Sequence, residues 1–148
     1  GVAGSFEGQV GVVGNLKVYG NIYYTGTISD ISDLRLKTNT EKLAGVLERL
    51  ERINGVKFDF RRSEYPSLNL PEGRQIGMIA QEVEKEYPEL VTTGVDGFKS
   101  LDYTKFSAVL LEAVKELKAE NSTMKSELEN KLKALFEARF KALEEKIK

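Results

Sequence analysis

From Thr104 to Lys148 the chain contains neither proline nor glycine, and most of its residues are strong helix formers. This run predicts one continuous helix about 65 Å long at 1.5 Å per residue. Along it Leu110, Val114, Leu117, Asn121, Met124 and Leu128 alternate steps of four and three, the a/d spacing of a coiled coil. Asn121 then occupies an a position, where a polar side chain fixes register. Leu132, Phe136, Phe140, Leu143 and Ile147 continue the stripe with extra four-residue steps, a stutter that locally unwinds a supercoil. A small domain cannot cover so long a stripe, so the helix is expected to meet copies of itself. The competing arrangement is a monomeric helix folded back on its own domain.

The other end of the chain obeys a different rule. Gly8, Gly14, Gly20 and Gly26 recur every six residues, and apolar side chains follow at fixed offsets: Val10 and Val12, Leu16 and Val18, Ile22 and Tyr24, then Ile28. Alternation of period two predicts strands, and each glycine predicts a bend, so residues 8–30 read as stacked short strands of a β-stalk. A few such units cannot close a core, because repeat architectures need neighbours to cover their apolar faces. Those neighbours are expected to be other copies. The plainer alternative is one meandering sheet packed on the following domain.

Between these ends the signals are mixed. Thr38 with Glu41 resembles a capping box, and Leu43, Val46, Leu47, Leu50 and Ile53 mark one helical face that Asn54-Gly55 stops. Val56, Phe58 and Phe60 alternate with Lys57 and Asp59 as in a half-buried strand, and residues 61–75 read as a polar loop with Pro66 and Pro71. Ile76 to Ile79 is a short apolar strand leading into a helix with Ala80, Val83 and Tyr87 on its face, ended by Pro88. Leu90–Thr93 and Phe98–Leu101 flank Gly94-Val95-Asp96-Gly97, a hairpin pattern. The expected class is α+β: a β-stalk repeat at 1–31, a small α+β domain at 32–103 and a long coiled-coil helix at 104–148.

Chemistry is narrowed by what the 148 residues lack. With no histidine and no cysteine, Ser-His triads, cysteine nucleophiles and His/Cys metal sites are excluded. No metal and no cofactor are expected. A serine nucleophile would need another base, and lysine is an attested one. Ser32 and Lys37, in Ser32-Asp33-Leu34-Arg35-Leu36-Lys37 at the boundary between the stalk pattern and the domain, are the candidate pair. Five positions apart they would lie about 140° apart around a helix, so contact requires a turn between them. The bland alternative is that Ser32 caps a helical turn, with Asp33 beside its dipole. Net charge is −1, and basic residues cluster nowhere beyond Arg61-Arg62 and the mixed-sign helix, so neither nucleic acid nor membrane is an expected partner. No signal peptide or membrane span is expected, and the absence of cysteine suits a reducing compartment.

Several blocks together resemble one family. They are Ser32 through Asn39, Gly55-Val56-Lys57-Phe58-Asp59-Phe60, Ile76-Gly77-Met78-Ile79-Ala80-Gln81-Glu82-Val83, Tyr87-Pro88-Glu89-Leu90-Val91, Leu101-Asp102-Tyr103 and Leu111-Glu112-Ala113-Val114-Lys115-Glu116-Leu117. In this order and spacing, over residues 32 to about 118, the chain resembles the endosialidase-type intramolecular chaperones, the C-terminal ends of phage tail spikes, tail fibres and neck appendages. The resemblance implies an intertwined homotrimer that folds a trimeric β-stalk (a triple β-helix) and then cuts itself off as a serine autoprotease. It implies Ser32 as nucleophile and Lys37 as base, with burial or the nearby Arg35 cation favouring the neutral amine. The expected scissile bond is Ile31-Ser32, with the bond after Ser32 as the alternative. Asp33, Arg35, Asn39 and Gln81 are candidate orienting groups, each equally readable as structural. The partners implied are further copies of the chain and the N-terminal fibre domains of the same polypeptide, a virion tail-fibre precursor folded in the bacterial host cytoplasm. Rival readings are a permanent trimerising cap, or the self-cleaving module of a membrane-tethered transcription factor.

Overall fold

The computed structural model describes Glu7, residues 10–14, Leu16, Val18 and residues 20–147. Of the positions singled out above, Gly8 and Lys148 lie outside these. The elements run α1 (Val46–Leu50), β1 (Gly55–Phe58), β2 (Gln75–Met78), α2 (Ala80–Glu86), β3 (Val91–Thr93), β4 (Lys99–Leu101) and α3 (Tyr103–Ile147), with 3-10 turns at Leu34–Leu36, Pro66–Leu68 and Pro88–Leu90. The class is α+β with a long C-terminal helix. β1 pairs with β2, and β3 runs antiparallel to β4 with Val91 opposite Leu101, Thr92 opposite Ser100 and Thr93 opposite Lys99. The chain divides into two compact units, one of Gly1–Leu36 with Lys57–Gln75, the other of Lys37–Val56 with Ile76–Lys148.

The second unit owns the buried core: Val46, Val83, Tyr87, Leu90, Phe106, Val109 and Ala113, flanked by partly buried Leu47, Leu50, Ile53, Met78, Val91 and Leu101. Each local signal there has a visible cause. In α2, Val83 is fully buried, Tyr87 closes the helix by donating its N–H to the Val83 carbonyl at 2.7 Å, and Pro88 opens the next turn. The hairpin closes where glycine permits it. Gly97 sits at φ 79, its N–H bonds the Gly94 carbonyl at 2.9 Å, and the Gly94 N–H bonds the Phe98 carbonyl at 2.8 Å. Helix α3 begins on Asp102, whose carboxylate accepts the N–H of Lys105 at 3.0 Å and whose own N–H reaches the Leu90 carbonyl at 2.9 Å.

Only the first turns of α3 are buried. Phe106, Val109 and Ala113, spaced by three and four, point into the core, whereas the neighbouring stripe of Leu110, Val114, Leu117, Met124, Leu128, Leu132, Phe136, Phe140 and Leu143 is exposed in the single chain. The expected continuous helix is present, and the unit it docks on covers a small part of it.

The expected helix from Thr38 is not formed. Residues 37–45 carry no helix or strand, and α1 spans only Val46–Leu50. The physical reason is Gly45, held at φ 62 and ψ 33, a left-handed geometry through which a right-handed helix cannot pass. Leu43, placed on the helical face by its spacing, is exposed instead. In β2 the apolar run is likewise one-sided, with Gly77 buried and Ile76 78% exposed.

The first unit contains all of residues 61–75. Arg74 pairs with Asp59 at 2.7 Å and Arg62 with Glu72 at 3.3 Å, and the Phe58 and Phe60 rings meet edge to face at 5.0 Å. Among the described residues before Ser32 none lies in a strand within the single chain, and Val10, Leu16, Ile22 and Tyr24 are exposed.

Candidate functional site

Ser32 leads into a short, tightly bonded turn. Asp33 Oδ1 accepts the backbone N–H of Arg35 at 2.8 Å, and the Asp33 carbonyl accepts the N–H of Leu36 at 3.1 Å, which starts the 3-10 turn Leu34–Leu36. An aspartate that bonds the backbone two residues on is a common way to begin such a turn. The Arg35 guanidinium then closes on the same carboxylate, Nε to Oδ1 at 3.1 Å and Nη2 to Oδ2 at 2.7 Å. The Arg35 side chain, and next its N–H, holds the Asp33 carboxyl below its ordinary range, while Asp33 raises Arg35. Asp33 and Arg35, both candidate orienting groups, are therefore brought together and engage each other.

The remaining candidates are placed as follows. Ile31 and Ser32 are exposed immediately before the turn. Lys37 follows the turn, is exposed, and opens the second unit. Asn39 adopts the left-handed conformation at φ 51, a geometry asparagine tolerates better than most residues. Gln81 is exposed in the first turn of α2. Among the described residues no group of three acidic side chains is arranged to hold a metal ion, and no helix is long and apolar enough to cross a membrane.

Polar contacts inside the second unit were not foreseen from sequence. Glu116 of α3 accepts the N–H of Val46 through Oε1 at 3.1 Å and the N–H of Leu47 through Oε2 at 3.0 Å, so α1 is capped from a residue far along the chain. These bonds, that of Leu47 foremost, hold the Glu116 carboxyl below its usual range. Arg49 lies over the Tyr87 ring at 3.8 Å. Arg52 joins Glu48 to Glu86, and Asn54 reaches Glu82 through its N–H at 3.3 Å. The Tyr87 hydroxyl is buried without a hydrogen-bond partner, and burial raises its pKa above the ordinary tyrosine value. The signal for Glu116 was present in part: Phe106, Val109 and Ala113 form a second apolar line on α3, and Glu116 continues it three residues on.

The chain matches, over residues 32–92 beginning at Ser32 itself, the family model described as "Chaperone of endosialidase", a family of self-cleaving serine peptidases. Its relatives include the long tail fiber protein Gp37 of Enterobacteria phage K3, 35% identical over 101 residues that make up 66% of this chain and 8% of that protein. The Gp37 proteins of phage Ox2 and phage M1 are 33% identical over 118 residues and 32% identical over 124 residues, covering 73% and 77% of this chain. The chain spans less than half the length of these relatives, 46% and 49% for the last two.

Proposed function

We propose that residues 32–148 are an intramolecular chaperone that trimerises and folds the β-stalk of a phage tail fibre and then releases itself by cutting the Ile31-Ser32 bond. The observation that carries this reading is the family match that opens on Ser32, among relatives named as long tail fibre proteins. On this reading residues 1–31 end the stalk, 32–103 form the chaperone and autoprotease domain, and 104–148 form the trimeric coiled coil. The exposed apolar stripe of α3 supports a helix that pairs with its own copies.

The chemistry is an acyl shift followed by hydrolysis. Ser32 Oγ attacks the Ile31 carbonyl carbon while neutral Lys37 Nζ takes the hydroxyl proton. The C–N bond breaks as that proton passes to the Ser32 amine, which leaves Ile31 esterified to Ser32 Oγ. Water then hydrolyses the ester to an Ile31 carboxylate and a free Ser32 hydroxyl.

Covalent linkage to a preassembled helix bundle raises the local concentration of the three stalk segments, whose non-local pairing is otherwise slow and prone to aggregation. Removal of the chaperone afterwards leaves the stalk kinetically trapped.

Intact-mass spectrometry of freshly expressed protein tests this. Wild type should give two fragments, the C-terminal one beginning at Ser32, whereas Ser32→Ala and Lys37→Ala should remain full length as folded trimers. Lys37→Arg should behave like Lys37→Ala, because a guanidinium keeps the charge but does not deprotonate. A wild type that never cleaves would overturn the autoprotease and leave a permanent cap. A fragment beginning at Asp33 would move the scissile bond.

A further inference from the structure

The five-residue helix α1 has no side-chain cap at its own N-terminus, because the residue before it is Gly45. A helix this short does not persist alone, since nucleation is unfavourable and packing supplies most helical stability. Here the cap comes from α3, and the packing comes from the core that α3 shares with α2. Val46 is fully buried in the cluster that includes Val109 and Ala113, and both Glu116 oxygens hold the N–H groups of Val46 and Leu47. The partners are 70 and 69 positions apart, so this cap does not exist until α3 has formed and docked. Upstream, residues 37–45 contain no helix or strand that could order them independently, and they begin at Lys37.

We propose that Glu116 is a positioning residue that makes the ordering of the chain from Lys37 to Leu47 contingent on α3. A carboxylate that accepts one N–H on each oxygen forms charge-assisted bonds at the positive end of the helix, and these set the direction in which the chain enters α1. Gly45 in its left-handed conformation lets the chain turn there and supplies no grip of its own. Without Glu116, the two N–H groups lose their acceptor, and the segment back to Lys37 keeps only the buried Val46 as its downstream anchor. The link to cleavage rests on Lys37 being the base. Cleavage of the Ile31-Ser32 bond would then wait for α3, and premature self-cutting before α3 is in place would be suppressed.

The test compares Glu116→Gln, Glu116→Ala and Glu116→Asp in the full chain. Glutamine keeps the size but replaces one acceptor with a donor. In a Ser32→Ala background, hydrogen exchange of peptides covering 37–47 should accelerate on the order of tenfold in Glu116→Gln, while peptides across 83–90 and 106–113 keep wild-type protection. With Ser32 present, cleavage should slow by a similar factor, and Glu116→Asp should recover part of it. Unchanged exchange at 37–47 would show that Glu116 does not order the segment. Equal loss of protection across 83–90 and 106–113 would reduce its role to general stability. Faster exchange with unaltered cleavage would show that the ordering does not reach Lys37. Should the wild type itself never cleave, the dyad reading fails, and the exchange measurements still decide whether Glu116 orders this segment.

Discussion

Valine to alanine at two helical positions makes opposite demands on the same chemical change. At Val83, in α2 and 0% exposed, the substitution removes two buried carbons, worth about 1.6 kcal/mol at ~0.8 kcal/mol each, before any term for the cavity left behind. Alanine returns roughly 0.5 kcal/mol as the better helix former. Val83→Ala should therefore destabilise the second unit by about 1–2 kcal/mol. At Val114, 65% exposed in the single chain, only the propensity gain applies if the helix is solvated, so the variant would be stabilised by roughly 0.5 kcal/mol. If copies of the helix cover the stripe, Val114→Ala loses buried contact and is destabilised by about 1 kcal/mol per chain, with a midpoint that depends on protein concentration. Urea unfolding at two concentrations, tenfold apart, reads both signs. The expected outcome is destabilisation at both positions. A stabilised Val114→Ala would refute the self-assembled helix, and an unchanged Val83→Ala would refute the core described here.

Three further outcomes are expected. In a Ser32→Ala background, which keeps the chain whole, Leu117→Ala with Leu128→Ala should remove roughly 2–5 kcal/mol per position from an assembled helix interface, so light scattering should fall from about three times the 16.6 kDa chain mass to that of one chain. Lowering pH should weaken α1: a glutamate whose folded-state pKa is depressed contributes fully above the ordinary value, and that contribution is lost as pH falls through the folded value. The unfolding midpoint of the wild type should thus drop more steeply below about pH 4.3 than that of Glu116→Gln, and parallel curves would argue against the cap. Gly45→Ala should destabilise by about 1 kcal/mol although nothing lies within 4 Å of the added carbon, because the penalty is purely conformational; an unaffected melting temperature would contradict the left-handed assignment.

Signals carried by neighbouring residues were legible. The 45-residue helix α3, the Gly94–Gly97 hairpin and the stop of α2 at Pro88 each follow from side chains within a few positions of the structure they produce. The capping-box pattern at Thr38 and Glu41 was equally local and misled, because Gly45 breaks the helix that the pattern would have started. Its replacement, Glu116, acts across 69 and 70 positions and had no local signature as a cap. At the candidate site, Asp33 and Arg35 were readable as orienting groups or as structural residues. Their spacing alone did not disclose that each would take the other as its partner through an Asp-initiated turn. The apolar residues of the six-residue glycine repeat and the stripe of α3 are exposed in one chain, so their regular spacing was legible while nothing within the chain covers them.

The exposed portion of α3 also bears on how such a chain can change over time. Beyond Glu116 the apolar stripe is uncovered within the single chain, so its length is free to vary without disturbing the packing around Val83 and Phe106. Inserting seven residues after Glu120 would rotate the distal stripe by only ~20° at 3.6 residues per turn, and the apolar face would stay in line. Inserting five would rotate it by ~140° and turn Leu132 and Phe136 away from the face that holds Leu110 and Leu117. Lineages, or engineers grafting this helix onto other chains, should therefore gain and lose length here in near-whole heptads.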